Sequence, residues 1–337
     1  GAGFFGLTLG LILSKRHEVE IFEKKKSILN GASSANQFRF HLGYHYPRSQ
    51  KTVKEINKSK DLFISFFGSN IFGKTLNYYL IAKESKVRFG KYKNFLKKNK
   101  LFYKILNNSF NLNFIEKCIL SNEKILNYFN FKKKIINKIK KSNVIINFNQ
   151  EFSKKNMSFF DKVIITTYAN NNIVLKKLGI KKFDEFKFEL VEKIIVKLPK
   201  KFKKKSYVVV DGNFVCIDPY LGTNYHLLSD VKNSKLETQI GNFPIFKHKN
   251  KKYINKGIIK NINISKFNSF LERSSNYLPF LKEAKYIGSI FVVRAIMKNK
   301  EKTDERTSTI KFHSDKIVSI LSGKWNNCVY LAKNLRI

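Results

Sequence analysis

Glycines at G-x-G-x-x-G spacing, an acid closing the next strand, and αβ segments flanking a β-rich middle predict an α/β fold. The expected architecture is a Rossmann-like dinucleotide-binding domain interrupted by a β-rich α+β domain. The first is discontinuous, taking 1–74, 124–180 and 305–337. The second takes 75–123 and 181–304. The glycine fingerprint normally ends a first parallel strand, yet the sequence opens on Gly1. We therefore expect that central, doubly buried strand to be missing from the sequence.

The elements follow from periodicity and punctuation. Residues 4–16 read as a helix and 18–23 as a strand. Residues 27–50 form a loop rich in Gly, Ser, Asn and His, and so long a loop inside a compact domain is usually functional. Val53, Ile56, Leu62, Phe63 and Phe66 recur at helical spacing and predict a helix over 51–67. A strand over 75–83 and a helix near 86–98 come next. Residues 124–141 read as a basic amphipathic helix, and 143–148 and 160–167 as strands. Strands and turns dominate 186–260. Residues 265–282 read as helix, 284–297 and 307–312 as extended chain, 317–321 as a strand and 325–335 as a closing helix.

A chain of 337 residues with 43% hydrophobic and 14% aromatic content can bury two cores and is not disordered. Cys118, Cys216 and Cys328 are odd in number and far apart, with no metal-ligand spacing, which suits a reducing cytoplasm. No metal site is expected. No apolar run is long enough to predict a transmembrane segment. The net charge of +42 is almost entirely lysine, since eight of the 66 basic residues are arginine. Base readers and phosphate clamps favour arginine, and no zinc-finger, helix-turn-helix or RNP signature occurs. The charge therefore reads as compositional. No specific nucleic-acid partner is expected, while salt-sensitive peripheral contact with anionic membranes stays open.

Three segments carry chemistry. In the first, Gly1 permits a tight turn, Gly3 a close approach to a pyrophosphate, and Gly6 packing of helix on sheet. The helix then points free N–H groups at the phosphates, and Glu23 stands where a ribose hydroxyl is bound. The second is Gly31–Ser49, whose small hydroxyl and amide residues suit a loop wrapping phosphates. The third is Gly323-Lys324-Trp325-Asn326-Asn327, a glycine turn opening a helix that could face another electron-rich group. Two helix starts from opposite ends of the chain would grip one elongated cofactor.

These motifs resemble the FAD-dependent oxidoreductases of the D-amino-acid oxidase type. The run from Thr303 to Ser308, followed by Ile320-Leu321-Ser322-Gly323-Lys324, is similar to their FAD-linked glycerol-3-phosphate dehydrogenase branch. The resemblance covers both ends of the chain; the middle matches only in its order of elements. It implies FAD as cofactor, with Gly1, Gly3 and Gly6 at the pyrophosphate and Glu23 at the adenosine ribose. Ser33, Ser34, Asn36 and Gln37 would line the phosphate and ribityl side, and Ile145 would meet the adenine through its backbone. Thr166, Thr167 and Ala169 occupy the place of the family's Ala-Thr-Gly strand end, here without the glycine. Gly323, Lys324, Trp325 and Asn326 would hold the isoalloxazine. Nothing matched selects a substrate, an electron acceptor or an oligomeric state.

The implied reaction is hydride transfer to flavin from a C–H next to an amine or hydroxyl of a small molecule, possible anionic groups included. Alternatives are an FAD enzyme modifying a sugar, and a non-catalytic dinucleotide-binding protein. Arginine anchors a carboxylate or phosphate through two hydrogen bonds. Arg294 and Arg306, near the terminal motif, are candidate anchors, against salt bridges to Glu301, Asp304 or Glu305. His41 and His45 are candidate bases or flavin attachment points, against hydrogen-bonded loop histidines. Tyr220, Tyr225 and His226 are candidates for a pocket floor, against aromatic packing.

Overall fold

A computed structural model describes residues 1–106, 113–212, 214–300 and 302–336. The amino-terminal half runs α1 (Phe4–Leu13), β1 (Val19–Glu23), β2 (Arg39–Phe40), α2 (Gln50–Phe67), β3 (Phe72–Gly73) and β4 (Leu76–Ala82). It continues with α3 (Phe89–Lys98), β5 (Tyr103–Leu106), β6 (Ile115–Ser121), β7 (Lys124–Leu126), α4 (Tyr128–Lys140) and β8 (Val144–Phe148). Then come β9 (Val163–Ile165), α5 (Asn171–Lys177), β10 (Phe186–Lys197), β11 (Lys205–Val210), β12 (Val215–Tyr220) and β13 (Tyr225–Asp230). The remainder is β14 (Lys235–Gly241), α6 (His248–Lys251), α7 (Phe267–Tyr277), β15 (Lys285–Met297), β16 (Thr309–Phe312), β17 (Ile317–Leu321) and α8 (Cys328–Asn334).

Most predicted elements form within a few residues of their expected limits. The basic helix is shorter than its 124–141 pattern, because Asn127 accepts a hydrogen bond from the Asn130 N–H and caps it. The residues before that cap form β7, which pairs with β2 and β3. The closing helix is likewise divided into a 3₁₀ turn, Trp325–Asn327, and α8.

Nine strands form one large sheet in the order β14-β10-β13-β12-β11-β4-β6-β5, with β15 pairing on β10. All of them come from 76–121 and 186–297. The other strands make small sheets: β1 with β8 in parallel, and β16-β17-β9, whose β17–β9 pair is also parallel. These two are not hydrogen bonded to each other. A Cβ on Gly1 would lie 3.5 Å from Thr167 beyond β9 and 4.0 Å from the Glu23 carboxylate ending β1, so Gly1 stands between them.

The large sheet has different work on its two faces. Ile194 and Val196 of β10 pack with Phe267 and Phe270 of α7. Val191 and Ile195, alternate residues on the opposite face, join the core built on α1, α4 and α8. The sheet thus presents one face to the glycine-rich half, and the candidate site lies in that interface.

Candidate functional site

A cleft of about 310 Å³ opens between the two halves. Gly3, Ser33, Asn36, Gln37, His41, Gly323, Lys324 and Trp325 line one wall; Val191, Lys193, Phe214, Cys216, Ser229 and Arg294 line the other. The glycine motifs from opposite ends of the sequence therefore meet. Trp325 stacks on Phe4 with ring centres 5.2 Å apart, locking the carboxy-terminal turn onto the start of α1.

Close approach explains the glycines. A Cβ on Gly6 would come within 1.9 Å of the Gly1 carbonyl oxygen, and one on Gly323 within 2.1 Å of the Arg306 carbonyl oxygen. Gly3 caps α1 without any side chain taking the cap position. The Phe4 N–H donates to Ser33 Oγ at 3.3 Å. Glu23 accepts from the Ala2 N–H at 2.7 Å and from the Lys25 N–H at 2.9 Å. Its carboxylate is thereby fixed beside the fingerprint.

The long loop supplies amides. Asn36 Oδ1 accepts from the Phe38 N–H at 2.7 Å, holding a turn that exposes Gln37 to the cleft. Among the described residues both polar atoms of the buried Gln37 amide lack a partner, so it is available to a ligand. Ser34 turns back to the Gly31 carbonyl at 2.9 Å and does not line the cleft.

Other expected residues fall differently. Thr166 lines the cleft, while Thr167 Oγ1 contacts Asn171 at 3.0 Å and Ala169 is buried. Tyr168, one residue before the Ala169 position, has φ of 55°, the left-handed backbone that glycine adopts freely. Ile145 is 56% exposed and pairs with Glu20; the residue level with Glu23 is Phe148. Ile145 thus lies three residues before the position level with Glu23. Asn326 is fully buried behind the turn and does not line the cleft. Tyr220 stacks on Phe38 at 5.8 Å, and His226 meets the Phe202 carbonyl at 3.0 Å. Neither they nor Tyr225 line the cleft, so packing is their role here.

Arg294, on β15, lines the cleft with its Nε 2.7 Å from Glu189 Oε2 on the neighbouring strand β10. Arg306 instead lines a smaller adjoining cavity and pairs with Asp304 at 2.5 Å and the Glu305 carbonyl at 2.9 Å. Glu301 lies outside the described residues. His41 and His45 both face the cleft, and His45 stacks on Phe214 at 4.4 Å. Burial, then Lys324 on the same wall, pushes His41 down to about 4. Burial, then His41, holds His45 well below the ordinary histidine range. Both are neutral imidazoles at neutral pH. Burial and then Arg306 bring Lys324 down to about 7.

Sequence reasoning missed a buried ionic group behind the histidines. Arg39 is 2% exposed and bonds Glu123 at 2.9 Å, Ser206 and Asp218. Tyr79 donates to Glu123 at 2.6 Å, and the Leu42 N–H donates to its other oxygen at 3.0 Å. Burial raises Glu123, but His41, Arg39 and Tyr79 outweigh it and hold the carboxyl at about 2. His41 Nδ1 is 3.7 Å from Glu123 Oε1, too long for a hydrogen bond, and the pair is ionic only where His41 is protonated. The one available signal was an arginine inside the motif loop; its partners lie 84 and more residues away. Among the described residues no cluster of three or more His, Cys, Asp or Glu could hold a metal, and no helix is long and apolar enough to cross a membrane.

No family model matches the sequence. FAD-dependent monooxygenase FPY4 of Fusarium mangiferae is 36% identical over 67 residues, 20% of this chain and 17% of that protein. FAD-dependent monooxygenase kojA of Aspergillus flavus is 45% identical over 53 residues, 15% of this chain and 12% of that protein. The matches thus span less than a fifth of those relatives. Among solved structures, glycine oxidase from Geobacillus kaustophilus superposes with a TM-score of 0.68 at 12% identity, covering 98% of this chain and 89% of that one. L-α-glycerophosphate oxidase from Mycoplasma pneumoniae, solved with FAD bound, gives 0.70 at 14% identity over 99% and 91%. L-proline dehydrogenase from P. horikoshii gives 0.70 at 12% identity over 99% and 89%. The resemblance read from the motifs is borne out as a shared fold, with its Rossmann-like and β-rich parts.

Proposed function

We propose that the chain is an FAD-dependent oxidoreductase acting on a C–H next to an amine or hydroxyl of a small molecule. The observation that carries this reading is the meeting of the Gly3 and Gly323 turns in one cleft, beside the unpartnered Gln37 amide. Those residues fit FAD. The start of α1 suits the pyrophosphate, Glu23 the ribose, and Ser33, Asn36 and Gln37 the phosphate and ribityl side. Lys324 and Trp325 would hold the isoalloxazine, which would supply the hydride acceptor. In this reading the glycine-rich parts, 1–74, 124–180 and 305–337, hold the cofactor and the large sheet holds the substrate.

The sheet wall then does the orienting. Arg294 keeps one edge of its guanidinium on Glu189 and offers the rest to an anionic group. His45, held neutral, is in the form that accepts a proton from the substrate's amine or hydroxyl, though burial and then its cationic surroundings make it a weak base. Phe214, stacked on it, keeps water away.

The test is the visible spectrum of the purified protein, followed by anaerobic mixing with amine and alcohol panels. Flavin absorption that bleaches with one class supports the reading; protein that stays colourless after FAD is added refutes it. Arg294→Lys should retain flavin and slow its reduction at least tenfold, because lysine cannot reproduce paired hydrogen bonds. Unaltered reduction would remove Arg294 from the anchor role.

A further inference from the structure

Lys193 is a cleft residue that neither cofactor binding nor packing employs. It lies on β10 between Val191 and Ile195, both apolar residues of the cleft-facing side. A lysine breaks that apolar row near Phe214, Cys216 and Ser229. Its ammonium donates one hydrogen bond, to Ser229 Oγ at 2.8 Å. No carboxylate among the described residues pairs with it. Asp218 is the acid close enough to influence it; Arg39 and Ser206 both bond its Oδ1, its Oδ2 has no hydrogen-bond partner among the described residues, and it forms no ion pair with Lys193. Arg294, its strongest charged neighbour, has the same sign. Elsewhere on this wall the pattern differs: Glu189 receives both Arg294 and Lys235.

A half-buried ammonium with one neutral partner and a cationic neighbour is costly unless something negative joins it. We infer that Lys193 is a subsite for a second anionic group of the substrate, a carboxylate or phosphate, distinct from the group held by Arg294. This rests on the reading that the cleft receives a small substrate. Ser229 spends a lone pair on Lys193, so its hydroxyl hydrogen is free to donate to the same anion. Burial drives the Cys216 thiol up to about 12, so it stays protonated and does not serve as the counter-ion. Burial, then Arg294, lowers Lys193 to about 8, so it is still mostly charged at neutral pH. As a compact point charge, it accepts carboxylate or phosphate without the planar fit that arginine demands.

Isothermal calorimetry at neutral pH on the full chain tests this, with butyrate, glutarate and 3-phosphonopropionate as probes. Glutarate should bind at least tenfold more tightly than butyrate. Lys193→Met should bring glutarate down to the level of butyrate, and Lys193→Arg should keep most of the preference. Tighter binding of 3-phosphonopropionate than of glutarate assigns the subsite to phosphate; the reverse order assigns it to carboxylate. Equal affinity for glutarate and butyrate, no binding of either, or a preference that survives Lys193→Met would overturn the inference. If the Met variant loses its cooperative melting transition, Lys193→Gln replaces it under the same criteria. Visible spectra of the same samples separate the two readings. A Lys193-dependent preference in protein that stays colourless after FAD is added would leave the subsite standing and sink the cofactor assignment.

Discussion

The two walls of the cleft are made in opposite ways. The glycine-rich wall comes from three short contiguous segments, 1–6, 31–41 and 323–325, and presents close backbone approach, small hydroxyls and amides. The sheet wall takes isolated side chains from separate strands: Lys193 from β10, Cys216 from β12, Ser229 from β13 and Arg294 from β15. A cofactor of fixed shape can be met by a local motif. A substrate is met by whichever side chains point inward, and those alternate with core residues along every strand. Chemistry held in contiguous turns is therefore easy to locate, while chemistry spread over a sheet is visible only once register is known.

The sharpest way to break this contrast is at the point where the walls join. Arg39 belongs to the motif loop, yet its partners Glu123 and Asp218 belong to the large sheet's side. Arg39→Met leaves two buried carboxylates without their shared cation. It should destabilise the protein by about 3–5 kcal/mol, measured by denaturant unfolding. A loss within about 0.5 kcal/mol would mean that the walls are not coupled through this group.

A smaller effect tests the glycine wall alone. Gly6→Val places a side chain against the Gly1 carbonyl and Thr166 Oγ1. We expect a loss of about 1–3 kcal/mol together with loss of bound flavin. Stability and flavin content equal to wild type would show that the α1 contact is not tight.

The mildest prediction concerns pH. His41, with its pKa lowered to about 4, binds no proton in the folded protein between there and the ordinary histidine value, whereas the unfolded chain does. Stability should therefore fall as pH drops through that window, by about 1 kcal/mol for each pH unit from this residue. His41→Asn should flatten that limb of the profile. An unchanged slope would show that His41 does not titrate differently on folding.

Much of this was legible beforehand because it is local. The fingerprint, its acid, the amide-rich loop and the final glycine turn each carry their requirement in a few neighbouring residues. Arg294 stood out because arginine is scarce in this chain. Lys193 did not, as one lysine among many; the two are told apart from other cations by the face they occupy on β10 and β15. The position of Ile145 in its strand shows a related limit. A strand's alternation gives its type, while the residue level with Glu23, here Phe148, is set by pairing with β1.

By itself, then, the sequence determined the class of fold and the backbone geometry that glycines at 1, 3, 6 and 323 permit. Those depend on sterics within a turn. Tertiary structure alone decided that Arg39 would be shared by two acids, that both cleft histidines would be neutral, and that Lys193 would face a cleft without an acid partner. Charge state and availability depend on burial and on neighbours from distant strands, and distance along the chain carries no record of either.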